Sequence, residues 1–62
     1  MKILSTSAAA RALAAGKMVC CLETDEWFQL HKPCSVRAAR HRMEAWRYYD
    51  PERKTWGIIE EA

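Results

Sequence analysis

An alanine-rich run that stops at a glycine and passes at once into a short apolar run does most to constrain this chain. Ala8 to Ala15 is strong helix-forming sequence, because alanine loses no side-chain entropy on entering a helix. Ser5 is placed to cap that helix through its hydroxyl, with Leu4 able to pack back against the first turn. Gly16 supplies the left-handed stop. The buried face read from the spacing is Ala9, Ala10, Leu13 and Ala14, shallow enough for the helix to lie close against a sheet. Met18 to Leu22 follows directly and is too short for a second helix, so it reads as a strand.

The polar stretch Glu23 to Glu26 then makes a turn, and Trp27 to His31 alternates. Phe28 and Leu30 point one way; Trp27, Gln29 and His31 point the other. Residues 18 to 31 are therefore expected to form a β-hairpin. Lys32-Pro33 ends it, since proline cannot extend a ladder. Ser35 is a candidate cap for a second helix over residues 36 to 44, where Val36, Ala39, Met43 and Trp46 recur at helical spacing. Read instead as a loop, the same stretch would scatter its arginines. Residues 46 to 60 read as a second hairpin: Trp46-Arg47-Tyr48-Tyr49, a turn opened by Asp50-Pro51, then β-like sequence from Thr55 to Glu60. The expected fold is one α+β domain over residues 1–62 in the order α-β-β-α-β-β, with antiparallel hairpins packed on one or two short helices.

The chain has 62 residues, half of them apolar, which is too hydrophobic for a disordered tail and argues for a core. A domain this small buries only about 60% of its unfolded surface, so a partner or second copy would help it. The start at Met1 gives the expectation of a complete short gene product. No run approaches the ~20 apolar residues that span a bilayer, and Arg11 interrupts the apolar stretch a signal peptide would need. A cytoplasmic location and no membrane partner are expected. Three cysteines, with Cys20 and Cys21 adjacent, make a poor disulfide framework and fit a reducing compartment.

Chemistry-bearing clusters are sparse. Cys20, Cys21, His31, Cys34 and His41 lack paired knuckle spacing, and adjacent strand residues point to opposite faces, so no metal is assigned. Cys34 near His31 is the only local nucleophile–base pair, and Gly16 and Gly57 stand too far apart for a phosphate loop. No cofactor and no enzymatic activity are expected. The basic segment is more informative. Lys32, Arg37, Arg40, Arg42 and Arg47 stand against Glu44 alone between residues 32 and 47, while the rest of the chain carries more acid than base. Arginine forks onto phosphates and carboxylates. Of six aromatic residues, Trp27 and Tyr49 are the candidates for exposure, and aromatics beside arginines make binding hot spots or stacking platforms. The candidate binding residues are Arg37, Arg40, Arg42, Arg47, Trp27 and Tyr49. The alternative is that each arginine is simply solvated and each aromatic belongs to the core.

Ala12-Leu13-Ala14-Ala15-Gly16-Lys17-Met18-Val19 resembles the A-L-x-x-G-K-x-V helix-to-strand junction of small phage-encoded proteins, and Trp27 and Trp46 to Tyr49 fit the aromatic hairpin and late strand that follow it there. That group includes short anti-defence proteins of the anti-CRISPR kind. The resemblance implies an accessory protein that inhibits a bacterial defence nucleoprotein complex, such as a CRISPR effector, by occupying its surface in the host cytoplasm. It supplies no binding residue. Two alternatives stand beside it: a small nucleic-acid-binding regulator that uses the same arginines on phosphates, and a structural or assembly protein that dimerises through an exposed strand edge. The expected partner is thus a host protein or nucleoprotein complex, with direct nucleic-acid contact left open, and the chain itself a monomer or homodimer.

Overall fold

The computed structural model describes residues 1–46 and 55–59. Lys2–Leu4 forms strand β1 and Thr6–Ala14 forms helix α1. Val19–Cys21 (β2) and Glu26–Phe28 (β3) make a hairpin, Val36–Ala45 is helix α2, and Trp56–Ile58 is β4. The four strands form one antiparallel sheet in the order β1-β4-β2-β3. Helices and sheet together make an α+β fold.

Both helices start in the same way. The Ser5 hydroxyl accepts from the Ala8 N–H at 3.2 Å, and the Ser35 hydroxyl accepts from the Ala38 N–H at 3.1 Å. Each satisfies one of the donors that a helix start leaves unpaired. At the end of α1, Gly16 adopts φ 85°. Its N–H donates to the Leu13 carbonyl and the Lys17 N–H donates to the Ala12 carbonyl, both at 2.9 Å, the paired bonds of a glycine-terminated helix. The Cys34 N–H reaches the Ala14 carbonyl at 2.9 Å and ties the loop before α2 to the end of α1. In the β2–β3 hairpin the turn residue Asp25 takes a left-handed φ of 59° and donates its N–H to the Cys21 carbonyl at 2.8 Å. Aspartate tolerates that conformation better than most side chains.

The core lies between one face of the sheet and the helices. Ala9, Ala10, Leu13 and Ala14 of α1 are buried, as the spacing predicts, and they meet Ala39 and Met43 of α2 with Leu4, Val19, Cys21 and Trp56 of the sheet. Alanines at the seam let the two helices approach closely. Phe28 stacks on Trp46, with centroids 4.4 Å apart, and meets Trp56 edge-on at 5.9 Å. These three rings join the end of α2 to the sheet.

Two elements depart from the order read in the sequence. Lys2–Leu4, assigned no element there beyond Leu4 packing back on the helix, is an edge strand paired with β4. Trp46, taken as the start of a strand, closes α2: its N–H donates to the Arg42 and Met43 carbonyls. β4, expected as the far arm of a second hairpin, instead lies between β1 and β2 and pairs with both, so the described elements run β-α-β-β-α-β. The near arm of that hairpin, from Arg47 to Tyr49, lies outside the described residues. Three residues are too few to show a period of two, so only pairing with β4 reveals β1 as a strand.

Candidate functional site

Arg37, Arg40 and Arg42 all lie on α2 and are exposed, as is His41 between them. The helix forms because Ser35 caps it and Ala39 and Met43 anchor one side in the core. Successive residues turn by about 100°, so Arg37 and His41 share the outer crest while Arg40 and Arg42 fall on opposite flanks. Arg40 leans toward α1 and its Nη2 donates to Ser7 Oγ at 3.4 Å. The arginines form a broad basic surface wrapped around one helix, with Glu44 the only acid in it. Arg47 and Tyr49 lie outside the described residues.

Trp27 sits elsewhere. It is exposed, as expected, but its neighbour Phe28 faces the core, so Trp27 points from the opposite side of the sheet. The structure therefore brings three arginines together and sets Trp27 apart from them. Ile3, exposed on the same far side and in register with Gly57 and Cys20, was missed in the sequence. The available signal was the Met18 to Leu22 run, apolar on both alternating faces, which a sheet covered on one side alone does not require.

Cys20 is also on that far side. It is fully buried yet separate from the main core, with its thiol 3.6 Å from the Cys21 carbonyl oxygen and 3.9 Å from Asp25 Oδ1. Burial, then the nearby Asp25 charge, Cys21 and the contact to Asp25 push its pKa above the usual thiol range. Cys34 is exposed. In the native protein a thiol reagent is expected to modify Cys34 rapidly and to reach Cys20 and Cys21 only on unfolding; mass spectrometry of alkylated peptides reads this directly. The raised Cys20 pKa also sets a sign. The folded state holds the proton more tightly, so this contribution is complete below the unfolded thiol's pKa and is lost as pH rises through the folded one. Urea midpoints should fall at alkaline pH, and less so in Asp25→Asn, which keeps the turn while removing the charge.

Among the described residues no three His, Cys, Asp or Glu side chains converge to hold a metal ion. A shallow hollow lies beside the end of α1, lined by Gly16, Leu30, His31 and Pro33, with Gln29 Nε2 donating to the Gly16 carbonyl at 2.8 Å. His31 is the one titratable group in its lining. Among the described residues no helix is long and apolar enough to cross a membrane. Comparison with family models, with curated proteins and with solved structures found no match for this chain.

Proposed function

We propose that this chain is a non-catalytic binding protein that occupies a surface of a larger complex, and specifically an accessory inhibitor of a bacterial defence nucleoprotein complex of the CRISPR-effector kind, acting in the host cytoplasm. The observation that carries the reading is the exposure of Arg37, Arg40 and Arg42 on a single ten-residue helix whose only acid is Glu44. Such a helix presents forked donors to carboxylates or phosphates on two flanks and a crest at once. The specific target rests on the resemblance of residues 12 to 19 to the phage-encoded group.

The test is direct. Purified chain is added to guide-loaded CRISPR effectors, and both complex formation and target-DNA cleavage are measured. The expected result is stoichiometric binding with loss of cleavage, and at least a tenfold weaker effect when Arg37, Arg40 and Arg42 are changed together to glutamate. An effector panel that is neither bound nor inhibited would sink the reading. Salt dependence separates it from the nucleic-acid regulator. If the isolated chain binds DNA or RNA at micromolar affinity, with a log–log salt slope of about −0.9 for each phosphate neutralised, the regulator reading replaces it.

A further inference from the structure

We infer that α2 meets its target as a groove-filling helix, and that what it fills is the major groove of B-form duplex DNA held in the target complex. This rests on the reading of α2 as the working surface and names what that surface touches. Of the nine residues of α1 five are buried, whereas of the ten residues of α2 only Ala39 and Met43 are. The rest of α2 is exposed, so the helix stands proud of the body on one narrow stripe. At about 100° per residue, His41 lies opposite that stripe, with Arg37 and Glu44 to one side of it and Ala38 and Ala45 to the other. Arg40 and Arg42 project about 100° to either side of His41. The bond from the Cys34 N–H to the Ala14 carbonyl joins the start of α2 to the end of α1, and Arg40 reaches Ser7 near the start of α1. The two helices therefore run antiparallel. Exposed Arg11, one turn beyond Ser7, falls level with Arg37 on the Arg40 flank.

Shape and charge together select the occupant. A flat acidic protein surface would touch the crest of α2 and leave Arg40 and Arg42 behind it, whereas a groove reaches the crest and both flanks. A helix with its side chains is about 10–12 Å across, and the major groove of B-form DNA is about 12 Å wide, with a phosphate strand along each wall. With the crest on the groove floor, Arg42 faces one wall and Arg40, joined by Arg11 of α1, faces the other. Ala38 and Ala45 let the helix backbone approach the base edges. Arg37, His41 and Glu44 bring donors and an acceptor there: arginine matches guanine, and glutamate accepts from cytosine. The other described acids, Glu23, Asp25 and Glu26, belong to the β2–β3 hairpin and to neither helix. The major groove of A-form RNA is too narrow to admit the helix. Arginines on the walls neutralise about three phosphates, so naked DNA is held weakly, at about 100 µM, and tight binding needs the rest of the complex.

The test is an NMR titration of the whole isotope-labelled chain with a mixed-sequence DNA duplex, the matching RNA duplex and polyglutamate. With DNA, amide shifts are expected on α2 and at Arg11, with a Kd of about 100 µM at about 0.1 M salt and a log–log salt slope of about −2.7. RNA duplex and polyglutamate should each bind at least fivefold more weakly. Arg40→Gln and Arg42→Gln should each weaken DNA binding about threefold and reduce the slope by about 0.9. Lys17→Gln, the same charge change off both helices, should leave binding unchanged. The amide spectrum of each variant shows that it is folded. No shifts up to about 1 mM DNA, equal binding of RNA or polyglutamate, shifts centred off α2, or flank variants that behave like Lys17→Gln would each overturn the inference. The inhibitor reading fails separately. A chain that inhibits an effector yet ignores naked DNA sinks the groove contact alone. A chain that binds DNA at micromolar affinity through α2 upholds the groove contact and hands the function to the regulator reading.

Discussion

Trp56→Ala is expected to leave the chain largely unfolded in the absence of denaturant. Trp56 is the largest fully buried side chain and sits in β4, the strand flanked by both β1 and β2. Its ring meets Phe28 edge-on, and Phe28 in turn stacks on Trp46 at the end of α2. Removing it empties the junction of sheet and helices, at a cost of about 3–5 kcal/mol for a buried aromatic. A single core in a chain this short rarely supplies more than about 3–5 kcal/mol in total, so the loss matches the whole stability. Far-UV circular dichroism and urea titration would read it as a missing cooperative transition. Trp56→Phe is the graded control. The Trp56 indole N–H has no hydrogen-bond partner among the described residues. Deleting it therefore removes a buried unsatisfied donor, worth about 1–3 kcal/mol, which offsets part of the lost ring volume. That variant should keep a cooperative transition at a lower urea midpoint. A Trp56→Ala protein with an undiminished midpoint would show that the core does not hang on this ring.

Leu13→Ala carries the second large effect, about 2–5 kcal/mol. The buried residues of α1 are Thr6, Ala9, Ala10, Leu13 and Ala14, so Leu13 is the only one of them with a large apolar side chain. Truncating it raises helix propensity slightly, since alanine is the better helix former. The predicted direction is nevertheless destabilising, because the helix is held by what it packs against more than by its own propensity. The two contributions have opposite signs, so the measurement tests which one dominates. Thermal and urea midpoints should both drop sharply, while the helicity of an isolated peptide covering residues 4 to 17 should rise. An unchanged protein midpoint would mean that the alanine seam with α2 holds α1 in place without Leu13.

Local chemistry made the helices and the first hairpin legible. Alanines, a serine cap and Gly16 specify α1 within a few residues, and that glycine stop with the short apolar run behind it is what the α+β class follows from. Ser35 and the Ala39/Met43 spacing do the same for α2. Alternation at Phe28 and Leu30 correctly separated core from surface, although the strand β3 ends at Phe28 and Leu30 lies beyond it. These signals act over one or two turns of chain, and no distant partner is needed for them to operate. The basic helix was legible for the same reason, since capping and helical spacing fix which side of α2 its arginines occupy.

The tertiary structure alone decided the rest. Lys2–Leu4 is a strand only because β4 returns from the far end of the chain to pair with it, a contact that three residues of sequence do not encode. Trp46 carries strand-like aromatic character as well as helical spacing with Met43; in the fold its backbone closes α2 and its ring stacks on Phe28. The separation of Trp27 from the arginines depends on which side of the sheet the helices cover. That choice is made by packing: Leu13, Met43 and Trp56 bury one face, and Ile3 and Trp27 are left on the other.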